Sequence, residues 1–233
     1  MTKTVLLASA AALALSIGGA SAHPAPALHG KATASSKVVH WNKGVNRAAS
    51  VLYDQNDDSQ GYADVSQNFE SSLDAYDAQA ADDFVVPKGA TWKVTEVDVS
   101  GLYFNGSGPA NSLHVQFYKN KKGKPSGSPV ADLDGLSYTD VGFGSFVIDL
   151  GKKGVKLKKG KYFVSVQANL NFSGGGEWGW STRVDQAGKA PAQWQNPGDG
   201  FGTGCTTWAE EQTCLGGIGG IDHMFTLRGK SKG

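Results

Sequence analysis

Residues 162–170 carry the feature that most constrains the fold, because apolar and polar side chains alternate there with a period of two. The even positions hold Tyr, Val, Val, Ala and Leu, and the odd positions between them hold Phe, Ser, Gln and Asn. A period of two is typical of a β-strand with one buried face. Similar strand-like patterns recur at residues 79–86, 92–104 and 113–118.

Helical periodicity is nearly absent from the chain. No segment longer than about ten residues has a convincing 3.6-residue period. Residues 66–81 are the one helical possibility, and they fit an irregular loop equally well. About nine strands, turn signals between them and no βαβ rhythm predict an all-β fold. The prediction is an antiparallel β-sandwich of the jelly-roll type.

The first 22 residues have the pattern of a cleaved signal peptide. Lys3 precedes an apolar stretch that runs to Ile17, and small residues at Ala20, Ser21 and Ala22 place the cleavage before His23. The apolar stretch is too short to span a bilayer, and no membrane anchor is recognised elsewhere. These features predict a secreted protein, either extracellular or periplasmic.

The domain organisation follows from composition. We expect a signal peptide at residues 1–22 and a flexible leader rich in Pro, Ala, Ser and Lys at residues 23–50. A single β-sandwich domain follows at residues 51–228, and residues 229–233 form a short tail. A chain of this size is large enough to bury a substantial core.

The charge balance argues against nucleic acid as a partner. The chain has 22 Lys and Arg against 21 Asp and Glu, so its net charge is +1, whereas nucleic-acid binders need a basic excess. Lysines do cluster locally, at residues 119–124 and 152–161. If these two hairpins lie together they form a basic patch for an anionic polysaccharide, and otherwise they protect strand edges.

The two cysteines, Cys205 and Cys214, are predicted to form a disulfide in an oxidising compartment. The loop that they close has about ten residues, which corresponds to roughly 2.5–3 kcal/mol of stabilisation. A redox role would favour a closer pair.

A metal site is one interpretation of the acidic segment between residues 51 and 86, which has nine carboxylates and no Lys or Arg. Asp54, Asn56 and Asp58 place oxygen ligands at alternate positions, as calcium loops do. A second possible set is Asp82 and Asp83 with Asp222 from the last strand. The alternative is that the acidic segment is a solvated loop. Structural Ca²⁺ is the one cofactor that the sequence suggests.

A ligand-binding site is the corresponding interpretation of the glycine-rich segment from residue 174 to residue 220. It contains four of the six tryptophans, and these lie near amide side chains. Indole faces stack on sugar rings, and fixed polar groups bond the hydroxyls. The candidate ligand-binding residues are Trp178, Trp180, Trp194, Trp208, Gln195 and Asn196. The alternative is that the indoles fill the core.

Catalysis has weaker support. The chain has no Gly-x-Ser-x-Gly, no His-Glu-x-x-His and no phosphate loop. Glu177 with Asp185, or Asp199 with Glu210, would suit a glycosidase if folding brings each pair close together.

Several short segments resemble β-sandwich domains that are common in secreted bacterial proteins. They are Ala-Asp-Asp-Phe-Val-Val-Pro at residues 81–87, Trp92, Tyr-Phe-Asn-Gly at 103–106, Trp-Gly-Trp at 178–180, Trp-Gln-Asn-Pro at 194–197 and Cys-Thr-Thr-Trp at 205–208. The resemblance covers roughly residues 51–228. It implies export and a sandwich fold, and it carries over no catalytic residue.

The sequence therefore favours a secreted, non-catalytic binding module for a glycan or another cell-surface polymer. One alternative is a secreted hydrolase that uses carboxylates. The other is a structural surface or matrix protein whose indoles are buried.

Overall fold

The computed structural model describes residues 25–33, 41 and 49–233. The predicted signal peptide and most of the predicted leader lie outside these residues. The described part is nearly all β, with large antiparallel sheets. This confirms the all-β prediction, and the arrangement is consistent with a sandwich.

Fifteen strands make up most of the described chain. In order they are β1 (His29–Lys31), β2 (Ser50–Asp54), β3 (Ser59–Val65), β4 (Gln67–Asn68), β5 (Gln79–Val99), β6 (Gly101–Phe104), β7 (Ser112–Lys121), β8 (Lys124–Leu136), β9 (Tyr138–Gly142), β10 (Ser145–Asp149), β11 (Val155–Asn169), β12 (Glu177–Arg183), β13 (Gln193–Gln195), β14 (Ala209–Glu210) and β15 (Phe225–Lys232). The helical elements are a 3₁₀ segment (Ser71–Tyr76), α1 (Phe172–Gly175) and α2 (Glu211–Cys214). None of the helices in the described chain is long and apolar enough to cross a membrane.

The strands form a small and a large sheet. The small sheet has the order β1-β3-β12-β6, and the large one follows the path β14-β13-β5-β11-β7-β8. Four further strands extend the large sheet around β5: β10 and β15 pair with β5 itself, β9 pairs with β10, and β2 pairs with β15. The short strand β4 lies parallel to β11.

Strand β5 is the central element of the large sheet. The sequence predicts a turn at Pro87, Lys88 and Gly89, but the strand runs through them for 21 residues. The ladder between β5 and β11 instead shifts register at this point, between Lys158 and Gly160, and Gly89 has a φ of 87°. The first half of β5 therefore lies between β13 and β11, and its second half pairs with β15 on one side and with β11 and β10 on the other.

The core contains the apolar face of β11, as the alternation predicts. The four side chains of that face at residues 162, 164, 166 and 168 are buried, and so is Leu170 directly after the strand. The opposite face is less exposed than expected, since Phe163, Ser165 and Gln167 are also buried. Loops and long side chains cover that face, which is where the candidate site lies.

Three segments differ from the sequence-based prediction. In the leader, His29–Lys31 forms a strand that pairs with β3. In the tail, β15 continues to Lys232 and pairs with β5 as far as Thr91. The helical possibility at residues 66–81 reduces to the single 3₁₀ segment. Pairing with distant strands orders the first two segments, and local composition carries no signal for such pairing.

Candidate functional site

The disulfide prediction is confirmed. Cys205 and Cys214 are bonded, with their Cα atoms 5.8 Å apart. The bond ties the loop after β13 to α2 and so holds the segment that carries Trp208 in place.

Three of the four candidate tryptophans belong to the core. Trp178, Trp180 and Trp194 each have a relative exposure of 0%. Their indole N–H groups donate to the carbonyl oxygens of Gly144, Met224 and Val65 at 2.7, 2.9 and 2.9 Å, respectively. The core-packing alternative therefore describes these three side chains, and none of them offers a face to a ligand.

The remaining candidates divide between core and surface. Asn196 is buried, and its amide donates to the carbonyl oxygens of Ala75 and Asp77 at 2.7 and 2.9 Å. Asn196 therefore holds the loop rather than a ligand. Trp208 and Gln195 are partly exposed, so they are the two predicted residues that a ligand can reach.

Trp208 and Gln195 lie at one polar surface of the large sheet, which we call the amide surface and define as Gln79, Gln116, Tyr118, Gln195 and Trp208. Hydrogen bonds link its amides in a row. Gln195 Nε2 donates to Gln79 Oε1 at 2.8 Å, and Gln79 Nε2 donates to Gln116 Oε1 at 2.6 Å. The Tyr118 hydroxyl donates to the same Gln116 oxygen at 2.9 Å.

Strand register brings these side chains to one face. Gln195 is the direct neighbour of Gln79 on β5, and Gln116 is the neighbour of Ser165 on β11. Since β11 lies between β5 and β7, the side chains of Gln79 and Gln116 meet over β11, where Ser165 is 1% exposed. The row is thus held by backbone pairing on rigid strands.

An aromatic pair borders the row. The rings of Trp208 and Tyr118 meet edge to face, with centroids 5.7 Å apart. Burial, helped by the charge of Asp132, raises the pKa of Tyr118 to about 12. The hydroxyl therefore stays protonated at neutral pH and remains a donor to Gln116.

The row leaves two polar atoms without a partner, although Gln116 itself is only 8% exposed. Among the described residues, Gln116 Nε2 and Gln195 Oε1 have no hydrogen-bond partner. One is a donor and the other an acceptor. A ligand hydroxyl can both donate and accept, so a polyhydroxylated molecule matches this pair of groups. The partly exposed Trp208 ring adds an apolar face beside them.

Sequence reasoning missed Gln79, Gln116 and Tyr118 as site residues. A signal was present, because the alternation at residues 113–118 places His114, Gln116 and Tyr118 on one face. The contribution of β5 had no such signal, since the pairing of Gln79 with Gln195 joins residues more than a hundred positions apart.

The first predicted calcium site holds an arginine. Arg183 Nη1 donates to the carbonyl oxygens of Gln55 and Asp57 at 2.8 and 2.7 Å and to the Asp57 carboxylate. A carboxylate oxygen of Asp58 lies 3.9 Å from Nη2 of the same guanidinium. The cation that this acidic loop lacks in its own sequence comes from β12.

The other two ligand candidates in this loop make local contacts. Asp54 Oδ1 accepts from the Asn56 backbone N–H and from the Thr226 hydroxyl at 3.2 and 2.7 Å. Asn56 Oδ1 accepts from the Ser100 hydroxyl at 2.6 Å. These oxygens therefore hold the loop against neighbouring strands.

The second predicted set, Asp82, Asp83 and Asp222, does come together in space. Each carboxylate accepts backbone N–H groups: Asp82 from His223, Asp83 from Lys189 and Ala190, and Asp222 from Ala187 and Gly188. Burial and neighbouring carboxylates raise the pKa of Asp82 well above its usual range. The pKa of Asp222 is about 6, raised mainly by burial.

Asp83 and Asp222 therefore hold the loop at residues 187–190, whereas Asp82 holds the backbone at His223. Asp83 Oδ2 and Asp222 Oδ1 are the oxygens of the set that lack a partner within the described chain, and calcium takes six to eight oxygen ligands. No group of three or more His, Cys, Asp or Glu in the described part is placed to hold a metal ion. Structural calcium stays a prediction that neither set strengthens.

A buried acid–histidine pair lies nearby. His223 Nε2 and Glu211 Oε2 are 2.7 Å apart, and both side chains have 0% exposure. Burial lowers the pKa of His223 to about 4, while burial and the Asp64 carboxylate raise that of Glu211 well above its usual range. His223 is therefore neutral at pH 7, and its ring stacks on Trp180 with centroids 4.7 Å apart. This pair belongs to the core and has no route to a substrate.

Glu177, the central carboxylate of the hydrolase alternative, is also inside the protein. Its two oxygens accept from the backbone N–H of Ala27 at 2.8 Å and from Asn105 Nδ2 at 2.7 Å. It has 0% exposure, whereas its proposed partner Asp185 is exposed. Asp199 and Glu210 are both exposed, and Asp199 caps the turn at Gly204. No observation favours these carboxylates as catalytic pairs.

No family model, curated protein or solved structure matches this chain. The proposals that follow therefore depend on its own residues.

Proposed function

We propose that this chain is an exported, non-catalytic module of the jelly-roll type that binds a glycan through the amide surface. The observation that carries the proposal is the hydrogen-bonded row of Gln195, Gln79 and Gln116 beside the partly exposed Trp208. Among the described residues, the row leaves one donor and one acceptor without a partner next to an apolar ring.

The chemistry of a sugar supports this choice of ligand. Sugar hydroxyls accept and donate hydrogen bonds at once, and pyranose C–H groups pack on aromatic faces. The amide surface is neutral, since no member carries a charge at pH 7. A neutral glycan therefore needs no counter-charge there. Rigid strands hold the amides before binding, which lowers the entropy cost of ordering them.

Retention on insoluble polysaccharides tests the proposal. We expect the purified protein to be retained on at least one of cellulose, chitin and xylan. We expect Trp208→Ala and Gln116→Ala each to weaken that retention about fivefold, because each removes roughly 1 kcal/mol of stacking or hydrogen bonding. Phe143→Ala is the matched control, since Phe143 is a 47% exposed aromatic residue outside the amide surface.

Circular dichroism would establish that the variants are folded. Unchanged retention in folded Trp208→Ala and Gln116→Ala would overturn the proposed site. A protein that none of the polysaccharides retains would overturn glycan binding and leave a structural role as the stronger hypothesis.

Export is tested separately. The chain expressed with its own leader is expected outside the cytoplasm, and N-terminal sequencing of that product should begin at His23. A product that stays in the cytoplasm and starts at Met1 would contradict the signal-peptide proposal.

A further inference from the structure

A grid of lysines covers one face of three neighbouring strands. On the second half of β5, Lys93 pairs across one side with Lys156 of β11 and across the other with Lys230 of β15. Two residues along, Thr91 pairs with Lys158 and Lys232. These six positions share a face, because side chains two residues apart point the same way. We call the five lysines Lys93, Lys156, Lys158, Lys230 and Lys232 the lysine grid.

The spacing of the grid follows from sheet geometry. Adjacent strands are roughly 4.8 Å apart, and positions two residues apart along a strand are about 7 Å apart. All five lysines are exposed, whereas Trp92, Val94 and Leu157 on the opposite face are buried. The grid is therefore a flat array of positive charge backed by the core.

A cleft runs over this array. Its volume is about 280 Å³, and it is lined by Thr91, Trp92 and the lysines at 93, 153, 156, 230 and 232. Among the described residues, no carboxylate lines it. Among the ion pairs of the described chain, none involves a member of the grid.

This arrangement lowers the stability of the folded protein, and a function of the grid would explain why the lysines are there. Like charges directly opposite each other on neighbouring strands repel. Protection of a strand edge explains Lys230 and Lys232, because beyond Gly229 the described residues give strand β15 a ladder partner on the β5 side alone. Edge protection does not explain Lys93, which lies on the middle strand with a lysine on each side.

The structure also separates the lysines that the sequence groups together. In the hairpin at residues 119–124, Lys119 donates to the Tyr162 hydroxyl and Lys124 to the Trp208 carbonyl oxygen. From the second cluster, at residues 152–161, Lys156 and Lys158 instead join lysines from β5 and β15, which lie far away in sequence.

We propose that the lysine grid is a second binding site, and that it takes an acidic polysaccharide. Ammonium groups repeated over three strands match anionic groups repeated along a chain, whereas a single small anion would leave most of the grid uncompensated. Stacked bases would need exposed aromatic or arginine side chains, whereas the aromatic residue that lines the cleft, Trp92, is buried. Insertion into a membrane would need exposed apolar residues, and those of the described chain lie elsewhere.

Binding to polygalacturonate tests this inference, with uncharged dextran as the control polymer. We expect saturable binding of polygalacturonate that weakens as salt is raised, because exposed charges are screened. Lys93→Gln combined with Lys230→Gln should weaken it about tenfold, as expected for two exposed charge contacts. Lys31→Gln combined with Lys189→Gln removes the same net charge from exposed positions outside the grid and should leave binding unchanged.

The outcomes separate this site from the amide surface. The grid variant should retain neutral glycan as the unmodified protein does, and Trp208→Ala should bind polygalacturonate normally. Equal losses in the grid variant and its charge-matched control would overturn the proposal, since the effect would then come from net charge. Tighter binding to single-stranded DNA or to anionic phosphatidylglycerol vesicles than to polygalacturonate would also overturn it.

Discussion

Replacing Trp194 by alanine is expected to lower the free energy of unfolding by about 3–5 kcal/mol. Trp194 has 0% exposure, donates to the Val65 carbonyl oxygen at 2.9 Å and packs against Phe201 at 6.0 Å between ring centroids. Alanine would leave a cavity, and it would leave a buried carbonyl oxygen without its donor. Since domains of this size are stable by roughly 5–15 kcal/mol, much of the total would be lost.

Urea unfolding followed by circular dichroism measures this effect. Trp208→Ala is the matched comparison, because the same residue type there is partly exposed and should cost far less. A native-like midpoint for Trp194→Ala would mean that the indole is at the surface. That result would support the sequence-based prediction that Trp194 contacts a ligand.

Glu177 is expected to make stability fall as the pH rises from about 4.5 to 7. Burial raises the pKa of Glu177 to about 7, although the hydrogen bonds from Asn105 and Ala27 oppose the shift. Between the usual value and the raised value, the unfolded chain has ionised this carboxyl while the folded chain still holds its proton. Stability therefore declines through this window and levels off above it. The upper limit of the loss is about 3 kcal/mol.

Glu177→Gln isolates this contribution. A glutamine oxygen can accept from the Ala27 N–H. Its nitrogen can donate to the Asn105 side-chain oxygen once the Asn105 amide has rotated by about 180°, so both contacts are preserved. Thermal unfolding from pH 4.5 to pH 8 should then show a smaller decline for the variant, which becomes the more stable protein at pH 8. Parallel curves for the two proteins would show that Glu177 ionises normally in the folded state.

The same carboxyl bears on the hydrolase alternative. Glu177 holds the N-terminal segment to β12 through the backbone N–H of Ala27. A loss of turnover in Glu177→Gln would therefore be interpretable only together with its unfolding curve. The structure assigns this residue a positional role between the leader and the small sheet.

Local patterns predicted local structure well. The alternation at residues 162–170 identified the core face of β11, because successive side chains of a strand point to opposite faces. The pairing of Cys205 with Cys214 followed similarly from their number and closeness in sequence. Local patterns did not predict that β5 is one continuous strand. Its continuity through Gly89 depends on a register shift in its ladder with β11.

The candidate sites show the same division. Trp178 and Trp180 alternate with Gly179, which predicts that they share a face but not that both faces of β12 are buried. Packing decided that question: a Cβ at Gly101 would lie 2.5 Å from the Trp178 ring nitrogen, so the indole fills the space beside that strand. The acidic loop likewise predicted a cation, and tertiary contacts supplied Arg183.

By itself, the sequence determined the all-β class, the apolar face of β11, the disulfide and the residue types available for binding, because each depends on neighbours along the chain. Tertiary structure alone decided which indoles are buried, which glutamines form one row and which lysines form one grid. The lysines of the grid come from three strands whose order and register are set by long-range backbone pairing. A one-residue change of register would move a side chain to the opposite face of the sheet, so composition cannot locate such a site.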